Sequence, residues 1–198
     1  MPPPFSAEDR ARITEQLLEA GHSLFTTQGL RKTSLDDLVA PAGIAKTSFY
    51  AFFDCKEALY LELMLRQAPQ LHNKLAVVLS EAENARGALG GFLRATVRML
   101  EDNPLYHRLI THPEEMRAVV RRMGPDELAR ARQVMPLTEF LEAAKAKGQL
   151  IEADADELIG VLQAVLLLPM HRQDIGEHRY PAVLDRLIDI VATGLTKQ

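Results

Sequence analysis

Residues 33–57, TSLDDLVAPAGIAKTSFYAFFDCKE, decide how this chain folds. A short helix is expected from about Ser34 to Ala40, with Leu35, Leu38 and Val39 on one apolar side. Ser34 and Asp37 have the spacing of a capping box. Pro41-Ala42-Gly43 then forms a tight turn in which the glycine tolerates positive φ. A second short helix starts at Ile44 or Ala45, buries Ile44, Phe49 and Phe53, and turns Lys46, Thr47, Ser48 and Tyr50 outward. Two short helices joined this way form a helix-turn-helix, whose second helix has dimensions that fit the major groove of duplex DNA. Small hydroxyls and a lysine can reach phosphates or base edges, where carboxylates would be repelled.

The flanks extend the pattern. Ile13, Leu17, Gly21, Leu24 and Phe25 form one stripe of an amphipathic helix over about residues 6–27, ended by Gln28-Gly29. Asp54 or Cys55 opens a further helix carrying Lys56, Glu57, Leu59 and Leu63. With Ala20, Leu24-Phe25, Gly29, Thr33-Ser34, Ala42-Gly43-Ile44, Lys46, Phe49-Tyr50, Phe53 and Lys56-Glu57-Ala58-Leu59 in these places, residues 8–63 resemble the TetR/AcrR family of bacterial transcription regulators. The resemblance implies phosphate contacts at Thr33, Ser34, Tyr50 and Lys56, and base or phosphate contacts at Lys46, Thr47 and Ser48. Ala45 stands where the family carries a capping Ser or Thr, which removes about 1 kcal/mol of capping. Ala51 and Phe52 replace residues that are often polar contacts.

Charge tempers the picture. Residues 1–56 hold six Lys/Arg against seven Asp/Glu, a net of −1, but four of the basic residues fall between 31 and 56. A local basic patch of this kind implies few neutralised phosphates and a modest salt dependence for each half-site.

With 47% hydrophobic and 25% charged residues, the 198-residue chain is expected to be globular. The N-terminal Met-Pro-Pro-Pro-Phe-Ser lacks the regions of a signal peptide, and residues 1–7 read as a disordered lead. A single cysteine allows no internal disulfide and fits a reducing compartment, so a cytoplasmic location is expected. Cys55, at a helix start, could also serve as a redox sensor if its thiol were acidic.

Every periodic segment is helical, and the expected class is all-α. A DNA-binding domain over 8–54 precedes a helical effector-binding and dimerisation domain over 55–198. Its expected helices cover about 55–81 (kinked or split at Pro69), 86–101, 104–111 and 113–147 (interrupted at Gly124-Pro125, bent at Pro136). Two terminal helices follow, the first opened by Asp154 and Glu157.

Those terminal helices carry Leu158, Leu162, Val165 and Leu166, then Leu184, Leu187, Ile188, Val191 and Leu195, an apolar surface suited to a homodimer. In the resembling family such helices form the dimer, which lets two recognition helices read a palindromic operator. Met99, Tyr106, His107, Met116, Met135, Phe140, Met170 and His171 are candidates to line a pocket for a small, largely uncharged organic effector. The expected function is ligand-responsive transcriptional regulation by a repressor. The alternatives are a helical interaction adaptor with a degenerate helix-turn-helix, or a helical-bundle enzyme. No cofactor, metal or membrane partner is expected: the six histidines show no metal spacing, and no nucleophile or nucleotide motif occurs.

Overall fold

A computed structural model describes residues 5–125 and 136–197. Its helices are α1 (Ala7–Thr27), α2 (Leu35–Val39), α3 (Lys56–Ser80), α4 (Ala85–Asp102), α5 (Pro104–Thr111), α6 (Pro113–Val120), α7 (Leu137–Ala146), α8 (Ala155–Leu166), α9 (Arg172–Ile175) and α10 (Tyr180–Gly194). Two 3-10 turns add Lys46–Ala51 and Leu168–His171. The described residues contain no extended strand; an isolated bridge pairs Leu150 with Thr196 near the C-terminus. No helix is long and apolar enough to cross a membrane, among the described residues.

Local chemistry sets the helix starts. Ser6, Ser34, Asn84, Asn103 and Asp154 each accept a backbone N–H of the first turn with a side-chain oxygen. Pro104 and Pro113 occupy first-turn positions, where a missing N–H costs nothing. The expected lead over 1–7 gives way to packed structure by Phe5, whose ring lies 5.3 Å from that of Phe52, and Ser6 already caps α1.

Two expectations about prolines need correction or restriction. Helix α3 runs unbroken through Pro69 rather than splitting there; the proline is exposed, while leucines at 61, 65, 71 and 75 are buried along the helix. Packing of that stripe outweighs one lost backbone hydrogen bond. The expected helix over 113–147 ends its first part at Val120, and α7 begins at Leu137 after Pro136. Residues 126–135, including Met135, lie outside the described residues.

The core is in two parts. One gathers Ile13, Leu17, Phe25, Leu38, Phe49, Leu59 and Tyr60 with Leu105, Leu109 and Val119. The other gathers Leu75, Leu89, Phe92, Leu93, Leu141, Leu158, Leu162, Ile188 and their neighbours. Helix α3 contributes to both, so the boundary expected at residue 55 does not separate the cores: residues 59–65, α5 and α6 pack with the N-terminal unit. Tyr60 is fully buried, stacks on Phe25 at 5.1 Å and donates to the Leu105 carbonyl at 2.6 Å. That bond closes the only polar demand its burial creates.

Candidate nucleic-acid interface and adjoining cavity

The first candidate site is the outer surface of the α2–turn–3-10 unit. Ser34 and Asp37 form a reciprocal capping box: Asp37 N–H donates to Ser34 Oγ at 3.1 Å, and Ser34 N–H donates to Asp37 Oδ2 at 3.0 Å. The Ser34 hydroxyl also donates to Asp37 Oδ2 at 2.7 Å, and these bonds hold the Asp37 carboxyl below its ordinary range. Gly43 takes φ +62°, as a sharp turn requires.

The segment after the turn is a 3-10 helix, Lys46–Ala51, where the sequence suggested a short α-helix. Ala45 makes no side-chain cap, and with only six residues the aromatic anchors set the backbone more than helical cooperativity does. Phe49 is fully buried, with Tyr50 edge-on at 5.8 Å and Phe53 at 6.0 Å. Restoring the missing cap with Ala45→Ser is expected to raise unfolding stability by about 0.5–1 kcal/mol, read from denaturant midpoints at constant slope. Lys46, Thr47 and Tyr50 are exposed and Ser48 half-buried, with Tyr50 at 57%.

Lys46 Nζ lies 2.8 Å from Asp36 Oδ2 in an exposed pair that raises the lysine's pKa through that hydrogen bond and the charge behind it. Such a pair is worth little in water, so an incoming phosphate can displace Asp36 cheaply.

Two expected contacts are differently employed. Thr33 is 1% exposed; its hydroxyl donates to the Gly29 carbonyl at 2.7 Å and is not at the surface. Lys56 Nζ donates to the Leu30 and Thr33 carbonyls at 2.8 and 2.6 Å, tying the α1–α2 loop to the start of α3. The loop turns back toward both residues after Gly29, which buries Thr33 and engages the half-buried Lys56 ammonium. Arg10 was not legible as part of this unit. It reaches across 41 positions to donate to the Ala51 carbonyl at 2.8 Å and lies 5.2 Å over the Phe52 ring, bracing the end of the 3-10 segment. No local pattern could reveal that contact. Burial pushes the Cys55 thiol upward, which withdraws the acidic thiol that redox sensing would need.

Residues 17–63 match the model of bacterial regulatory proteins of the tetR family. Half of the chain is 25% identical over 99 residues to an uncharacterised HTH-type transcriptional regulator of Mycobacterium tuberculosis, and 25% identical over 100 residues to the HTH-type transcriptional repressor KstR2 of Rhodococcus jostii. Over residues 17–63 the chain is therefore similar to TetR-family regulators. In both cases the match spans about half the relative's length, 49%. The fold likeness reaches further: a TetR-family transcriptional regulator from Pectobacterium atrosepticum superposes with a TM-score of 0.71 at 20% identity, covering 98% of this chain and 99% of that one. The fatty acid degradation regulator FadR of Bacillus halodurans gives 0.62 at 16% identity, with 92% and 96% covered.

A second site adjoins the helix-turn-helix unit. A cavity of about 270 Å³ opens between α3, α4, α5 and α6, lined by Leu61, Met64, Leu65, Ala68, Leu71, Thr96, Met99, Leu100, Tyr106, Met116, Val119, Val120, Met123 and Leu166. Of the expected lining residues it brings together Met99, Tyr106 and Met116. Four of the others, all among the described residues, lie elsewhere. His107 and His171 are exposed, the latter with Nδ1 3.0 Å from Asp174, and Phe140 borders a separate crevice beside Leu79 and Ala88. Met170 sits half-buried on the second 3-10 turn. The missed wall is the stripe Leu61, Met64, Leu65, Ala68, Leu71 on α3. Its helical spacing was visible, but spacing alone does not separate a cavity wall from filled core.

Between the two sites lies a buried ion pair. Glu115 on α6 is 4% exposed; Arg108 on α5 donates to it from Nε at 3.2 Å and Nη2 at 3.3 Å, and Arg31 N–H donates at 3.3 Å. Burial alone would raise the Glu115 carboxyl, but the Arg108 and Arg31 bonds and the Arg108 charge outweigh it, and the pKa is lowered. Arg108 Nη2 also donates to the Gln28 carbonyl at 3.4 Å. Gly29, at φ +86°, lets the guanidinium lie directly on the backbone; a Cβ there would run into it.

Proposed function

We propose that this chain is a DNA-binding transcription regulator that acts as a homodimer on a palindromic operator, represses there, and is released by a small organic effector. The observation that carries the reading is the exposed Lys46–Thr47–Tyr50 surface on a 3-10 turn anchored by fully buried Phe49. Ser34 and Ser48 flank it, and exposed Arg31 and Lys32 add positive charge nearby. Thr33 and Lys56 act as positioning residues for the loop rather than as contacts.

Dimerisation uses α8 and α10 on a face other than the one suggested by their widest apolar stripes. Leu158, Leu162, Val165, Leu184, Ile188 and Leu195 are buried in the chain's own core, while Leu166, Leu187 and Val191 are half-buried. What remains exposed is Leu167 at 55%, Val183 at 42% and Ile190 at 60%, beside exposed Gly160, Gln163 and Ala164. Val183, Leu187 and Ile190 share one helical stripe of α10 and supply an apolar centre for a two-fold contact. The core takes the widest stripe because burying it inside one chain carries no association cost.

The cavity is the effector site. Helix α6 carries Met116 and Val119 at the cavity and Glu115 at the α1–α2 loop, so a shift of this short helix is felt at the reading unit. Selection of bound sites from random duplex DNA tests the proposal. Recovered sequences are expected to be palindromic, with half-sites about one helical turn or slightly more apart. A protein that is monomeric at micromolar concentration and enriches no sequence would refute it.

A further inference from the structure

The chemistry of the cavity wall selects a class of ligand, an inference that rests on reading the cavity as the effector site. Four methionines (64, 99, 116 and 123) share the wall with aliphatic residues, and no charged side chain among the described residues lines it. Its polar groups are the Thr96 and Tyr106 hydroxyls. Thr96 is 1% exposed and already donates to the Phe92 carbonyl at 2.8 Å, leaving it only acceptor capacity. Tyr106 donates to the Met64 carbonyl at 3.4 Å, well beyond the usual O–H···O length of about 2.7–2.8 Å. Its proton is therefore held weakly and is available to a better acceptor. Burial pushes this phenol up to about 12, so it remains a donor at neutral pH.

We infer that the cavity takes an uncharged, largely apolar molecule bearing one hydrogen-bond acceptor, such as a ketone, ester or ether oxygen, turned toward Tyr106. Given about 30 Å³ per liquid water, the volume holds roughly nine waters, or on the order of ten to fifteen non-hydrogen ligand atoms. A carboxylate of equal shape loses its hydration and finds no cation among the described lining residues to replace it. Methionine side chains adjust to different outlines, so the site tolerates variation in shape far better than variation in charge.

Calorimetric titration of the purified full-length protein, without DNA, compares 2-acetylnaphthalene with 2-naphthoate, which have the same number of non-hydrogen atoms and nearly the same outline. The ketone is expected to bind with one site per chain and the carboxylate at least about 30-fold more weakly. Tyr106→Phe is expected to weaken the ketone about 3- to 10-fold while changing 2-ethylnaphthalene less than about 2-fold. Val120→Trp, at a half-exposed position on the cavity rim, is expected to weaken the ketone at least about 10-fold without loss of fold, since it adds bulk to the site from outside the core. The inference is overturned if the ketone does not bind, if naphthoate binds as tightly, or if Tyr106→Phe or Val120→Trp leaves ketone binding unchanged. A ketone that binds as expected yet leaves DNA affinity unaltered overturns the effector role alone, so the two failures are distinguishable.

Discussion

Replacing Glu115 with alanine is expected to lower the unfolding free energy by about 3–5 kcal/mol, because it leaves the Arg108 guanidinium without its buried partner. For a chain of this length that corresponds to a fall in Tm of roughly 6–20 °C. The loss includes more than the pair itself, since Arg31 N–H forfeits its acceptor and the α1–α2 loop loses its tie to α6. A double variant, Arg108→Met with Glu115→Leu, is expected to recover much of the loss, since an apolar pair of similar volume carries no desolvation cost. The pH dependence has a definite sign. The folded-state pKa of Glu115 lies below its ordinary value of 4.5, so its contribution is fully present above that value. It is lost as pH falls through the lower folded-state value. Thermal unfolding of wild type and Glu115→Gln should therefore differ most at neutral pH and converge in acid. A constant difference down to strongly acidic pH would show that the carboxylate charge is not what matters.

The triple variant Lys46→Ala, Thr47→Ala, Tyr50→Ala is expected to keep its fold and lose DNA. All three positions are exposed, so the folding cost is about 1 kcal/mol or less, chiefly from the edge-on contact of Tyr50 with Phe49. Loss of base contacts at Lys46 and Thr47, at about 1–3 kcal/mol each, together with the Tyr50 phosphate contact, is expected to lower operator affinity at least about 100-fold per half-site. The salt dependence should flatten by about one unit for the lost lysine if it touches phosphate. Titration of a selected operator at several salt concentrations measures both effects. Retention of affinity within a few-fold would place the DNA contact elsewhere on the molecule, and it would revive the adaptor reading if non-specific duplex were bound equally well.

The reading unit was legible because its determinants are close in sequence. Ser34 and Asp37 form their capping box three residues apart, Gly43 meets a backbone demand at its own position, and Phe49 and Phe53 mark one face within a single turn. Helix starts at Asn103-Pro104, Pro113 and Asp154 follow from the same short-range chemistry. The fate of polar groups at the ends of those elements was not legible. Thr33 and Lys56 match surface contacts in the family pattern, yet the return of the loop buries the first and engages the second with backbone carbonyls.

Periodicity along the chain thus established an all-helical protein with a helix-turn-helix near its start, since caps, turns and amphipathic stripes depend on neighbours within a few residues. Three-dimensional packing decided which stripe of α8 and α10 was left exposed and which methionines enclosed a space. It also brought Arg108 and Glu115 to a backbone more than 75 positions earlier. Those outcomes depend on which faces meet across large sequence separations. A stripe's period states that one side must be buried and is silent about what it is buried against.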